Sequence, residues 1–267
     1  MQNPARARRL LSRLWPCCAR RALGVLCFLA MVVPLVRPVG ATPPDVIVKA
    51  EFVEPTTRYG HDVLGEGGEW GALLLTVDRC HLCTGEADLY NLIIRLPETH
   101  VFEDIAPRLI TGDDGPTLVM VVESSVTEGA RLSLYDERGL YAATPFIGRR
   151  NRWLAPIGVA DLDGDGWPEI AYVDRPHLAK ILRIWRLKDG GLHPVDSQPG
   201  LSNHQIGQGF ITSGIRRCEG RPEIVTPSAD WRQVMALQLV GNQIRLRSLG
   251  PMEGVEDVAQ ALRCQTD

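Results

Sequence analysis

The chain carries none of the short motifs through which common enzyme chemistries are legible in a sequence. It has no GxSxG nucleophile elbow, no HExxH zinc helix, no P-loop and no GxGxxG opening a helix. These absences remove esterase-type acyl transfer, zincin hydrolysis, nucleotide hydrolysis and dinucleotide redox chemistry as motif-based readings. The six histidines, at 61, 81, 100, 177, 193 and 204, show no metal-ligand spacing. Catalysis is therefore not expected. The enzyme alternative would be a cell-envelope enzyme or redox protein using His61 and Asp62 or the Cys80–Cys83 pair. His61-Asp62 stands at an expected strand start beside no evident nucleophile. A Pro/Ser-rich linker is also missing, so nothing subdivides the chain after its first 41 residues.

Those 41 residues lack any acid. They hold seven arginines around an apolar stretch from Ala22 to Val36, and Val39-Gly-Ala41 forms a small-residue cleavage site before Thr42-Pro-Pro. The apolar core is shorter than the ~20 residues of a membrane span. Residues 1–41 are read as an export signal, with a retained anchor as the alternative, and 42–267 as one domain. Cleavage removes seven of 29 basic residues and none of 32 acidic ones, leaving 22 against 32, a net charge of about −10. Such a surface argues against nucleic acid and anionic lipid as partners. The expected location is periplasmic or secreted, with no stable membrane insertion after cleavage.

Cysteines agree with that compartment. Cys17, Cys18 and Cys27 leave with the signal, and Cys80, Cys83, Cys218 and Cys264 remain. An even number in an oxidising space favours disulfides, and four cysteines allow three pairings. Cys80–Cys83 with Cys218–Cys264 is preferred, because the second would tie the C-terminus to the body. A redox or zinc role for Cys80-His-Leu-Cys83 lacks a surrounding βαβ pattern, a second CxxC and a following haem-type histidine.

What is present is concentrated in Asp161-Leu-Asp163-Gly-Asp165-Gly-Trp167-Pro-Glu169. Carboxylates at positions 1, 3, 5 and 9 alternate with glycines that let the backbone curl around a hard cation, and calcium takes six to eight oxygens. Asp161, Asp163 and Asp165 offer side-chain oxygens, the Trp167 carbonyl falls at position 7, and Glu169 closes the shell. An EF-hand would need a bidentate Glu at position 12, where this chain has Tyr172, and a helix on each side. The flanks here are Ile157-Gly-Val-Ala and Ile170-Ala-Tyr-Val, runs of strand formers, and Pro168 interrupts the exit. One structural calcium is expected in a loop between two strands; an acidic Asp-Gly turn without metal is the plainer alternative.

The run "DLDGDGWPEI" after "IGVA" resembles the FG-GAP or VCBS repeat, the blade unit of integrin-alpha-like β-propellers. The resemblance implies a loop joining the first two strands of a four-stranded blade, with ligand roles on Asp161, Asp163, Asp165 and Glu169 and a main-chain role at Trp167. That family usually closes the loop with Asp, and Glu169 is one methylene longer.

Internal repetition extends the resemblance along the chain. "LGEGGEWGALLLTV", "ITGDDGPTLVMVV", "ADLDGDGWPEIAYV" and "IRRCEGRPEIVTP" align Gly68, Gly115, Gly166 and Gly220, at spacings of 47, 51 and 54 residues. Each is followed by alternating segments, "LYNLIIRLPETH", "ARLSLYDERGL", "AKILRIWRLKDGGL" and "VMALQLVGNQIRL", that read as hairpins. The expected fold is all-β: a propeller of four to five four-stranded blades. A fifth, composite blade would form from "DVIVKAEFVEP" at the start and "GVEDVAQALRC", read as a strand, at the end. Only the third unit keeps the full acidic set. The first has Glu66 and Glu69, the second Asp113 and Asp114, and the fourth Glu219 and Glu223 behind Arg216 and Arg217, all expected to be degenerate turns held by hydrogen bonds or a cationic side chain.

A propeller of this kind gathers its loops on one face, where a protein or carbohydrate ligand is expected. "GRRNRW" from Gly148 to Trp153, basic and aromatic in an acidic protein, and the amide-rich "LSNHQIGQGF" from Leu201 to Phe210 are the candidate recognition loops.

Overall fold

The structure, a computed structural model, describes residues 45–65, 68–79, 86–110, 117–218 and 220–265, all within one compact unit, Thr42–Asp267. Residues 1–41, expected to be an export signal, and Cys80, Cys83, Glu66, Asp113, Asp114, Gly115 and Glu219 lie outside the described residues. The described residues form an all-β fold, with three antiparallel sheets and one short helix among them.

The first sheet contains β1 (Val46–Pro55), β2 (Glu69–Asp78), β3 (Leu89–Arg95), β4 (His100–Glu103), β5 (Arg108–Ile110), β6 (Leu118–Ser125), β7 (Gly129–Asp136) and β8 (Gly139–Ala143). Its parts are a three-stranded piece, β1-β2-β3, and a meander in which β4 and β5 share one edge of β6, followed by β7 and β8. The second sheet is the meander β9 (Leu154–Ala160), β10 (Glu169–Asp174), β11 (Ile181–Lys188) and β12 (Gly191–Pro199). The third repeats that order with β13 (Gly214–Arg216), β14 (Glu223–Pro227), β15 (Gln233–Val240) and β16 (Gln243–Pro251). Gly68, Gly166 and Gly220 each stand shortly before β2, β10 or β14 in the chain.

Strand character follows burial. β6, β10 and β14 are buried at every residue and centre on short apolar runs, Leu118–Val122, Ile170–Val173 and Ile224-Val225, with Glu, Asp, Ser or Thr at their ends, whereas β12 and β16 on the outer edge are largely polar. Tight turns are written in residue type. Lys188 pairs with Gly191 around Asp189 and Gly190, both with positive φ, the geometry of a two-residue type I′ hairpin.

The sheets pack face to face in chain order. One core lies between β1–β3 and β6–β7 (Leu73, Leu75, Phe102, Val119, Val121), and the next joins β6–β7 to β9–β10 (Met120, Leu132, Leu134, Leu154, Ile170). A third fills the space between β10–β11 and β14–β15 (Ala171, Leu182, Ile184, Ile224, Leu237). Burying such side chains stabilises the stack by roughly 1.5–3 kcal/mol each.

Two expectations are corrected. The segment "GVEDVAQALRC" is not a strand: α1 (Val255–Leu262) packs against β13, β14 and β15 through Val258 and Ala261. Its apolar residues recur every three or four positions, the helical period, and Asp257 in the first turn accepts the backbone N–H groups of Glu253 (2.7 Å) and Gly254 (2.9 Å). β1 pairs with β2 along its whole length, so the two chain ends do not build a composite blade. Among the described residues the first unit shows no fourth strand beside β3, since after Pro97 the chain crosses as β4 to pair with β2 and β6.

The Cys218–Cys264 disulfide is formed, with Cα atoms 5.6 Å apart, and ties the end of α1 to the turn after β13. Gly214 lets the helix approach: a Cβ there would meet Leu262 at 3.0 Å.

Candidate functional site

The acidic loop lies where expected, between β9 and β10, and its glycines Gly164 and Gly166 take positive φ. Asp161 organises the turn, with Oδ1 accepting the N–H groups of Gly164 (2.8 Å) and Asp165 (3.1 Å) and Oδ2 that of Gly166 (3.1 Å). Asp165 Oδ1 accepts from Trp167 N (2.9 Å), and buried Glu169 accepts from Leu162 N (2.8 Å). Asp161, Asp163 and Glu169 each bring one oxygen within 4.8 Å of the others; Asp165 stands outside that triad. The Trp167 side chain is partly exposed beneath the Lys188 ammonium, 5.0 Å from its ring centre.

Sequence reasoning missed Arg186. It faces Glu169 across the β10–β11 pair, and its guanidinium contacts Glu169, Asp163 (2.6 Å) and Asp165 (3.2 Å). Burial pushes the Glu169 carboxyl above the ordinary carboxylate range, against the pull of Arg186 and the Leu162 N–H, and Asp163 adds to the rise. The residues fit a hard cation in donor type and proximity: all donors are oxygens, and one arginine offsets only one of four carboxylates.

The corresponding position in the third sheet is held by cationic side chains. Glu223 lies between Arg216 (2.8 Å) and Arg247 (2.7 Å), which together outweigh its burial and hold its carboxyl below the usual range. In the first unit Glu69 instead accepts the N–H groups of Tyr59 (3.3 Å), Gly60 (3.0 Å) and His61 (2.8 Å).

Those three bonds build the second site. They fix the loop before β2, and His61 then donates Nδ1–H to Glu103 (2.6 Å), whose other oxygen accepts from the Ser124 hydroxyl. The carboxylate partner of His61 is thus Glu103, not Asp62, which is exposed. Glu103 is 1 % exposed, and burial drives its carboxyl upward while His61 and Ser124 draw it back. The Tyr59 hydroxyl, buried and pushed up to about 12 by desolvation and then by Glu103, accepts Asn151 N (2.8 Å) and joins this loop to the basic one.

The basic loop is fixed from its other side. Gly148 and Arg149 donate to the Glu128 carbonyl (both 2.8 Å), and Ala130 donates to that of Arg152 (2.8 Å). A Cβ on Gly129 would lie 2.2 Å from the Arg149 oxygen, so only glycine fits that contact. Trp153 is 2 % exposed, donates its indole N–H to the Glu103 carbonyl (2.8 Å) and meets the edge of His204 at 4.9 Å between ring centres.

His204 carries the amide-rich loop into the same place. Its Nε2 lies 2.8 Å from the Gln208 carbonyl, which can only accept, so neutral His204 keeps an unprotonated Nδ1. His177 Nε2, 3.0 Å away, is therefore the donor to it. Desolvation, followed by repulsion from His204 and His61, depresses His177 to about 4.

These segments enclose a cleft of about 330 Å³ whose lining includes His61, Asp62, Trp153, Arg175, His177 and Ile206. Three of its lining residues, Asp62, Asn151 and Arg175, have positive φ, a conformation costly for non-glycine residues and concentrated at working sites. Both candidate recognition loops and the His61 turn, distant in sequence, meet here.

Comparison of the chain with protein-family models, curated proteins and solved structures gives no match.

Proposed function

We propose that the protein is an exported, calcium-stabilised β-propeller that acts as a non-enzymatic binding module for a protein or carbohydrate ligand. The observation that carries this reading is the meeting of four loop segments at one cleft, over sheets joined by a buried apolar core. Blade architecture is supported by the stacked four-strand meanders and the glycines that precede their second strands. The Cys218–Cys264 bond fits an oxidising compartment. Among the described residues no helix is long and apolar enough to cross a membrane.

Asp161, Asp163 and Glu169 would hold the ion, with Asp165 and the Trp167 carbonyl completing its oxygen shell. Calcium would supply positive charge that Arg186 alone does not, bracing the β9–β10 turn without entering any reaction. Thermal melting with calcium and with chelator tests this: calcium should raise the melting temperature of the native protein and leave Asp163→Ala unmoved. An unchanged native protein would reduce the loop to an acidic turn.

Proton-transfer catalysis is the second reading, favoured by the His61–Glu103 pair, since a carboxylate on Nδ1 leaves Nε2 as the basic nitrogen. Against it, none of the cleft's lining residues is a serine, threonine, cysteine or lysine, and Ser124 lies buried behind Glu103.

A further inference from the structure

We propose that the cleft between the His61 turn and the two recognition loops takes a peptide segment of a protein partner, with one large apolar side chain as its anchor and acidic residues beside it. This rests on the binding-module reading and chooses between its two ligand classes.

The choice follows from what the cleft exposes. Carbohydrate recognition commonly needs an open aromatic face and free polar groups around it. Here the indole of Trp153 is 2 % exposed, with its N–H already bonded to the Glu103 carbonyl. What lies open is aliphatic: Leu178 is 63 % and Ile206 75 % exposed, on two different loops of one cleft, with buried Val63 also in its lining. Two such side chains held in water beside a concave site are what an apolar anchor would cover. A cavity of about 330 Å³ admits one large side chain and its backbone rather than a globular surface.

Charge sets the flanks of the ligand. Arg152 and Arg175 line the cleft with Asp62 as its lining carboxylate, and exposed Arg149 and Arg150 stand on the loop of Arg152 against the exposed Glu128 of the adjoining turn, three or four cations to two acids. Asp174 holds Arg175 at 2.7 Å but is shared with Arg183, so the pair of arginines keeps excess positive charge. This basic rim lies on a domain of about −10 net charge, and it therefore favours an acidic segment while the remaining surface repels acidic proteins without the anchor. At neutral pH His177 is uncharged, and with Nε2 donated to His204 its Nδ1 is an acceptor suited to a peptide N–H.

The test is selection of a random octapeptide library on the protein purified after export, with a glycan array run in parallel. Selected peptides should combine one Leu, Ile, Met or Phe with two or more Asp or Glu, and bind at least tenfold more weakly to Leu178→Asp and to Ile206→Asp. Arg149→Glu should weaken them about threefold, and raised salt likewise. Both apolar positions are exposed, so retained melting temperature separates lost binding from lost fold. Selection of neutral or basic peptides, or binding indifferent to Leu178→Asp and Ile206→Asp, overturns the proposal. Glycan binding that Leu178→Asp abolishes, without peptide selection, overturns it while sustaining the module reading. Self-association abolished by Leu178→Asp, again without peptide selection, makes a second copy the occupant and overturns it too. Silence in every arm overturns both.

Discussion

Arg186 stands opposite Glu169 on the neighbouring strand and reaches past it to Asp163 and Asp165, so a fixed guanidinium shares the loop in which a cation is proposed. Glu169 is fully buried, and a buried carboxylate without a partner costs about 3–5 kcal/mol. Arg186→Gln should therefore lower the melting temperature in chelator, while calcium, freed of a competitor, should restore more stability than it adds to the native protein. Melting curves of both proteins across a calcium titration check this. Equal calcium shifts would show that arginine and ion do not share the site.

Gly129 holds the loop from Gly148 to Trp153 against the β6–β7 turn, at φ +74 with the Arg149 oxygen in the space a Cβ would need. Gly129→Val should destabilise by about 2–4 kcal/mol, through strain at positive φ and the forced displacement of that loop. Urea unfolding measures it. Gly241, at φ +57 with open space around it, is the control: Gly241→Asn should cost well under half as much, because Asn visits that left-handed region.

Breaking Cys218–Cys264 should loosen α1 first, because the bridge closes a 46-residue separation that ends just beyond the helix. Loop-closure entropy places the loss near 4 kcal/mol, reduced if the unfolded chain keeps structure. Hydrogen exchange in Cys218→Ser with Cys264→Ser should rise most over Val255–Leu262 and β14.

The His177–His204 pair predicts loss of stability in acid. The His177 pKa falls from 6.5 to about 4 on folding, so between those values the unfolded chain binds more protons. Stability is complete above pH ~6.5, declines as pH falls toward ~4, and loses nothing further from this group below that. Because His177 is only half-buried, solvent screening reduces the effect to about 1 kcal/mol. Denaturant midpoints between pH 7 and 4 should fall less in His177→Gln than in the native protein.

Much of the architecture was legible because it is written in local chemistry. Alternating and continuous apolar runs bounded by turn residues gave the strands, and Asp189-Gly190 gave its hairpin. The acidic loop was legible for the same reason: alternating carboxylates and positive-φ glycines must turn, whatever surrounds them. The C-terminal "VEDVAQAL" misled because eight residues with small and apolar spacing suit either element until a sheet face selects the helix. The cleft was legible only in fragments.

By itself the sequence determined the all-β class, the acidic turn and the Cys218–Cys264 pair as a candidate bridge, since each depends on residue type and spacing along the chain. Tertiary structure alone decided which groups became partners. Arg186 reached Glu169 through strand register, Glu103 rather than Asp62 reached His61 through a crossing strand, and packing of sheets brought Leu178 and Ile206 to one cleft. Those pairings depend on distances between residues far apart in the chain, which no local pattern encodes.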